Sequence, residues 1–365
     1  MLVAQFTQDK TFFQMHGAKI RDFAGIPYLY PGMPNLTDIF FVLLRAGLWE
    51  RDLSLDAVPP VDDWRVLLET ARRQAVLGLL YRGIAHLPED QMPPADLRLR
   101  LLADIDRIER RNKQMELTQQ ELLGRFRDAG LHPLVQKGSE AGKYYANPLL
   151  RESGDIDLYF PEDEFGRACA EFPGARMAPD GAYVFKFRDV TVELHPRYYD
   201  LHLPSGSLPG APSVYAELMM LSAHILKHAI GAGVGCKQLC DLALALARTD
   251  GKYDKEQLRA YLKRAGLLRW QRVLCSLLVA DLGLDPACCL PDFTPGDPTP
   301  LRRIVLEGGA FGLFDPAREK AVRAGKTARK MQAAGAFLKR LPFSLRVAPR
   351  ETVATIGELV KGNLS

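Results

Sequence analysis

The sequence predicts an α+β fold in which a small mixed sheet is flanked by helical regions on both sides. Apolar residues recur at helical spacing through residues 36–130 and again from residue 213 onwards. Between these regions, short alternating stretches are separated by Gly, Pro, Asn and Asp, which is typical of strands joined by turns. We therefore divide the chain into an N-terminal helical region (1–130), a core (131–212) and a C-terminal helical region (213–365).

The N-terminal region begins with an irregular segment, residues 1–35, which is rich in proline and tyrosine near its end. Thr37 is a candidate N-cap for the first helix. The spacing of apolar residues predicts helices at 38–49, 62–80, 93–108 and 113–130. The charge cluster at 107–113 is interpreted as a solvated helix face.

The core is predicted to alternate short strands with short helices. Arg188-Asp189 lies between two alternating stretches and indicates a tight hairpin, so we interpret Asp189 as a turn residue rather than a site residue. The pattern predicts strands at 134–137, 155–160, 184–187 and 190–195, and helices at 140–145 and 161–171.

The C-terminal region follows a Gly/Pro/Ser-rich linker at 204–212. Its apolar spacing predicts helices at 213–228 and 237–247, and two more within 255–282. The tail at 318–350 carries ten Lys or Arg against one acid, with apolar residues between them. A solvated helix face is the favoured interpretation, with an acidic partner, a nucleic acid or a membrane surface as alternatives.

Three acidic residues lie in alternating stretches of the core. Asp155 and Asp157 are two residues apart, so a strand would direct both to one face, about 7 Å apart along the strand. Glu193 lies in a second such stretch. Oxygen ligands of this kind suit Mg²⁺ or Mn²⁺ rather than zinc, and spaced carboxylates can hold a pair of ions.

A glycine-serine pair, Gly138-Ser139, follows the predicted strand at 134–137. Glycine lets the backbone approach a ligand closely, and the first N–H groups of a helix favour phosphate oxygens. Lys137 either reaches the phosphates or lies at the sheet edge. A phosphate-binding turn next to a strand with two carboxylates predicts a nucleoside triphosphate site.

These residues resemble the pattern of the DNA polymerase β-type nucleotidyltransferase superfamily: a glycine-serine turn, a strand with two spaced acids and a later strand with a third acid. A wider ordered set resembles a bacterial nucleotidyltransferase-like family within it. The set consists of Lys137-Gly138, Arg151, Asp155-Ile156-Asp157-Leu158, Glu193-Leu194-His195, His224, Lys227-His228 and Asp241. The resemblance covers roughly residues 38–246, with its core at 131–195.

The resemblance implies metal-dependent transfer of a nucleoside monophosphate from an NTP to a hydroxyl, with release of pyrophosphate. Asp155 and Asp157 would hold two ions, and Glu193 would bind one of them or act as the base. Gly138, Ser139 and Lys137 would bind the nucleotide. Arg151 would stabilise the transferring phosphoryl group or pair with the acids.

Five further residues are weaker candidates for the site. His195 would share a face with Glu193, and His224 and His228, four residues apart, would share a helix face. For this histidine pair, packing or contact with the nucleotide site is favoured over zinc. Lys227 and Asp241 are included through the resemblance alone.

Two other classes of function remain open. One is a nucleotide-binding regulator or scaffold with little turnover, and the other is an RNA-modifying, toxin-like enzyme. The acceptor of a transferase would be a small molecule, a peptide, a protein or RNA.

Composition sets broader bounds. The 365 residues, with 47% hydrophobic and 25% charged residues and a net charge of +4, are typical of a globular protein without a strongly basic surface. Without a secretion signal, the six cysteines are expected to be reduced. The absence of a long apolar run predicts no membrane helix and a cytoplasmic location.

Overall fold

The computed structural model describes residues 36–55, 59–178, 180–202, 208–231, 233–309 and 325–364. The predicted lead-in at 1–35 and residues 204–207 of the predicted linker lie outside this part of the chain.

Helices precede the sheet. They are α1 (Leu36–Trp49), α2 (Val61–Arg73), α3 (Leu77–Ala85) and α4 (Ala95–Asp128). Thr37 lies inside α1 rather than before it. The predicted helix at 62–80 is two helices, and the predicted helices at 93–108 and 113–130 are one.

The core is a five-stranded mixed sheet, so the predicted α+β fold is confirmed. Its elements are β1 (Leu134–Gln136), α5 (Lys137–Gly142), β2 (Asp155–Tyr159), α6 (Glu162–Ala170), β3 (Arg176–Met177), β4 (Tyr183–Phe187) and β5 (Val190–His195). The strand order is β1-β2-β5-β4-β3, and only the β2–β5 pair is parallel. Arg188 and Asp189 form the predicted β4–β5 hairpin with φ of 47° and 61°, the left-handed backbone that tight hairpins require.

The two faces of the sheet differ in chemistry because side chains alternate along each strand. Ile156 and Leu158 of β2, with Val192 and Leu194 of β5, pack into a core that includes Phe126 of α4. The opposite face carries the acidic side chains of both strands. One face therefore anchors the sheet, and the other is available for the site.

Helices also follow the sheet. They are α7 (Val214–Ile230), α8 (Cys236–Thr249), α9 (Lys255–Ala265), α10 (Leu268–Leu282), α11 (Thr299–Gly308), α12 (Lys326–Val347) and α13 (Pro349–Leu364). One hydrophobic core joins α7–α12 to α1–α4, with Phe40, Trp64, Leu226 and Trp270 all buried in it. None of the described helices combines the length and apolar character needed to cross a membrane. The six cysteines are free thiols.

Candidate active site

The centre of the polar face is the parallel pair β2–β5. Asp157 lies directly opposite Glu193 in the register, and Tyr159 lies opposite His195. Directly opposed residues on neighbouring strands have Cβ atoms about 5 Å apart on the same face. The pairing therefore places side by side two carboxylates that are 36 residues apart in the chain.

Two basic side chains meet Asp157. His195 Nε2 lies 2.7 Å from Asp157 Oδ1, and Lys137 Nζ donates to the same oxygen at 3.2 Å. His195 Nε2 is also 3.7 Å from Glu193 Oε2. Among the described residues, ligand atoms of Asp157, Glu193 and His195 lie within 4.8 Å of one another, a group able to hold a metal ion.

The carboxylates of this site differ in their electrostatics. Burial alone would raise the pKa of Asp157, but Lys137 and His195 outweigh it and hold that pKa well below its ordinary value. Burial, together with the charges of Asp157 and Asp155, raises the pKa of Glu193 to about 8. Negative charge is therefore in excess around Glu193, which is the condition a bound cation would relieve.

Asp155 lies two residues before Asp157, on the same face of β2. Burial and the charge of Asp157 raise the pKa of the Asp155 carboxyl. The predicted triad of acids thus shares one face. The tightest ligand group, however, contains His195 in place of Asp155.

The predicted phosphate turn joins β1 to α5. The left-handed residue is Lys137, with φ of 48°, and not the glycine after it. Gly138 packs beside the backbone of β2, since an added Cβ would lie 3.5 Å from Asp155 O. The side chain of Ser139 lies outside the described part of the chain. The helix start has no side-chain cap from Gln136.

Arg151 and Asp241 form a separate buried pair. The guanidinium donates to both Asp241 oxygens, at 2.8 and 2.7 Å, and its side chain is 5% exposed. Tyr145 donates to the same carboxylate at 2.7 Å. These contacts tie the segment before β2 to α8. Arg151 thus forms its ion pair with Asp241 and not with the acidic triad, which was one of its two predicted roles.

The candidates on α7 lie close to the same face and are joined by Asp200. His224 Nδ1 lies 2.9 Å from Asp200 Oδ2, and Lys227 Nζ donates to Asp200 Oδ1 at 2.9 Å. His228 packs against His224 with ring centroids 4.4 Å apart. Burial lowers the pKa of both imidazoles. In the described residues, this histidine pair is not part of a group of three possible metal ligands.

Asp200 and Asp180 are the residues that sequence reasoning missed. Asp180 accepts a hydrogen bond from Lys227 Nζ at 3.0 Å, so Lys227 pairs with both acids. Both acids lie in irregular segments, where side-chain direction has no periodicity to reveal it. The only sequence signal was the candidate Lys227, because a positive charge in a folded protein is commonly paired with an acid.

Comparison with known proteins gives one family match. Residues 60–208 match the model of a protein family described as uncharacterised nucleotidyltransferase. The matched stretch contains the turn at Gly138, both aspartates of β2, Glu193 and Asp200. No curated protein and no solved structure matches the chain significantly. This is similarity to a nucleotidyltransferase family over less than half of the chain, and it supports a transferase in broad terms.

Proposed function

We propose that this protein is a metal-dependent nucleotidyltransferase that moves a nucleoside monophosphate from an NTP to a hydroxyl acceptor. The observation that carries the proposal is the β2–β5 register, which pairs Asp157 with Glu193 on a polar face. The family match over residues 60–208 supports the same reaction class.

The residues present fit a divalent cation. Asp155, Asp157 and Glu193 would supply hard oxygen ligands, which Mg²⁺ and Mn²⁺ prefer. The pKa of Glu193, raised to about 8, reports negative charge that the protein itself does not fully balance. A bound cation would supply Lewis-acid stabilisation of the phosphoryl oxygens and a lower pKa for the acceptor hydroxyl.

The transfer forms a bond from the acceptor oxygen to the α-phosphorus and breaks the bond from that phosphorus to its bridging oxygen. Pyrophosphate leaves with the electron pair of the broken bond. The hydroxyl proton needs an acceptor, and Glu193, once ionised in the metal-bound site, would be the carboxylate that takes it. His195 keeps Asp157 oriented through its 2.7 Å contact.

The nucleotide would lie against α5. The backbone of Gly138 and Ser139 would bind phosphate oxygens, as the uncapped helix start and the resemblance both favour. Lys137 would add a point charge beside them. His224, Lys227 and His228 would line the helical side of the same site. Arg151 and Asp241 would hold the segment before β2 against α8 and would not contact the nucleotide.

The first test measures thermal stability with each of four NTPs, with and without Mg²⁺ or Mn²⁺. We compare the wild type with an Asp155→Asn/Asp157→Asn variant. The matched control is Asp189→Asn, because Asp189 is an exposed hairpin acid of the same sheet. A ligand at about 100 times its dissociation constant stabilises the folded state by about 2.7 kcal/mol. We expect a metal-dependent shift in the wild type and the control, and its loss in the double variant.

Turnover is then measured as pyrophosphate release with small-molecule, peptide, protein and RNA acceptors. An unchanged shift in the double variant, or no shift with any NTP and either ion, would contradict the proposed site. NTP binding without pyrophosphate release for any acceptor class would favour a nucleotide-binding regulator or scaffold.

A further inference from the structure

Asp200 is an acid that meets three basic side chains. Its carboxylate is 14% exposed and lies in the segment after β5. Besides His224 and Lys227, the ammonium of Lys137 lies 3.8 Å from Asp200 Oδ2. Asp200 therefore links α7 to the start of α5.

Lys137 lies between two carboxylates. Its Nζ is 3.2 Å from Asp157 Oδ1 and 3.8 Å from Asp200 Oδ2, and its side chain is 12% exposed. The left-handed φ of 48° at Lys137 is an unfavourable backbone conformation for a residue with a Cβ. Such a conformation persists where its surroundings hold it, and the two ion pairs of the side chain are contacts that can do so.

The position of this ammonium has a consequence for the proposed reaction. Asp157 is a proposed metal ligand, and its Oδ1 oxygen accepts a hydrogen bond from Lys137. A cation at Asp157 would repel the ammonium from that oxygen. Asp200 offers Lys137 a second carboxylate that lies outside the proposed ligand set, so the lysine need not leave the site.

On the basis of the proposed function, we propose that Asp200 is a positioning residue. It retains Lys137 beside the triphosphate when a metal ion replaces the Lys137 ammonium at the Asp157 carboxylate. Before substrate binds, Lys137 neutralises Asp157. After the ion binds, Lys137 stays paired with Asp200 and directs its remaining N–H donors to phosphate oxygens. The ligand class that Asp200 serves, through Lys137, is therefore a metal-bound triphosphate.

The first experiment reads Lys137 directly. Acetylation at one fixed pH, followed by mass spectrometry, gives the reaction rate of a single lysine in the folded protein. An ion pair keeps an ammonium charged and in place, so the loss of one of two pairs makes a lysine more reactive. We expect Lys137 to be acetylated several-fold faster in Asp200→Asn and at close to the wild-type rate in Asp200→Glu.

The matched control is Asp180→Asn. Asp180 pairs with Lys227 at 3.0 Å, as Asp200 does at 2.9 Å, but among the described residues it forms no ion pair with Lys137. We expect no change at Lys137 in this variant. Equal rates of Lys137 acetylation in the wild type, Asp200→Asn and Asp180→Asn would overturn the proposal.

The second experiment separates a role through Lys137 from a general charge effect. Mn²⁺ alone is titrated into the wild type, Lys137→Met, Asp200→Asn and the double variant. Without Asp200, Lys137 pairs with Asp157 only and competes with the ion. We expect Mn²⁺ to bind at least about fivefold more weakly in Asp200→Asn, and the substitution to have little effect in the Lys137→Met background.

An equal loss of Mn²⁺ affinity in both backgrounds would mean that Asp200 acts through space or on the fold, and would overturn the proposal. If the wild type binds no Mn²⁺, the metal site of the proposed function fails. The acetylation result then still decides whether Asp200 holds Lys137.

Discussion

At the residue scale, the pKa values of Asp157 and Glu193 are shifted in opposite directions, although the two residues are neighbours in the sheet. Asp157 contacts Lys137 and His195, which together keep its pKa low despite burial. Glu193 has only a 3.7 Å contact with His195, and burial beside two aspartates raises its pKa. The metal-free site therefore favours a proton on Glu193 near neutral pH.

This arrangement predicts how stability depends on pH. The folded pKa of Glu193, about 8, exceeds its ordinary value of 4.5, so the folded state binds the proton more tightly than the unfolded state. As pH rises from about 4.5 to about 8, Glu193 therefore lowers the stability of the folded state. Because each pKa unit corresponds to about 1.4 kcal/mol, we expect metal-free Glu193→Gln to be at least about 1 kcal/mol more stable than the wild type at pH 8.

The measurement is chemical denaturation of both proteins at pH 5 and pH 8 with a chelator present. The expected gain for Glu193→Gln is small at pH 5, where Glu193 is largely protonated in the folded protein. Asp189→Asn serves as the exposed control. An equal difference between wild type and Glu193→Gln at both pH values would show that the substitution acts by packing instead.

The sequence could predict the residues of the site only where periodicity carries the information. Asp155, Asp157 and Glu193 alternate with buried apolar residues, so their shared face follows from strand geometry. Their adjacency also needs the parallel pairing of β2 and β5, which no local pattern specifies. Asp200 lies in an irregular segment, and its contacts with His224 and Lys227 span more than twenty residues.

At the element scale, two boundaries were predicted wrongly, for identifiable reasons. The predicted break between helices at 93–108 and 113–130 is wrong, because Arg, Glu and Lys in the charge cluster at 107–113 are good helix formers and α4 continues through it. Asn112 within this stretch donates to the carbonyls of Leu149 and Arg151. The opposite error occurred at 62–80, where Ala75 has a left-handed φ of 53° that apolar spacing does not reveal.

The N-terminal helices pack closely enough to require glycine. A Cβ at Gly47 of α1 would lie 1.9 Å from Leu79 O, and one at Gly83 of α3 would lie 1.9 Å from Leu43 O. Gly78 of α3 similarly faces Leu150 O at 2.1 Å. Helix α3 is thereby fixed between α1 and the turn that leads through residue 151 into β2.

This packing predicts that Gly83→Ala is destabilising, although alanine is the better helix former. Backbone atoms cannot move aside as a flexible side chain would, and overpacking a core costs roughly 1–3 kcal/mol. Gly124→Ala of α4 is the matched control, because nothing lies within 4 Å of its added Cβ. There we expect a gain of up to about 1 kcal/mol. Denaturant unfolding of both variants provides the measurement, and a neutral Gly83→Ala would mean that α1 and α3 separate easily.

At the scale of the whole molecule, the helical regions before and after the sheet share one hydrophobic core. Trp64 of α2 and Trp270 of α10 are both almost fully buried in it. Arg151 adds a polar connection, since it joins the segment before β2 to Asp241 of α8. The division of the chain at residues 130 and 212 follows changes of secondary structure, whereas the packing joins the flanking regions.

The shared core predicts that the two helical regions unfold together. We would prepare Trp49→Phe/Trp270→Phe, which keeps Trp64 as the reporter, and Trp49→Phe/Trp64→Phe, which keeps Trp270. Each variant is unfolded in guanidinium while fluorescence and far-UV circular dichroism are recorded on the same samples. Because a cooperative transition gives coincident curves for different probes, we expect fluorescence and dichroism midpoints to agree within each variant.

Comparing probes within one variant removes the effect of the substitutions on stability. A fluorescence midpoint displaced from the dichroism midpoint, in opposite directions for the two reporters, would instead show that the flanking regions are independent units and that their common core contributes little to cooperativity.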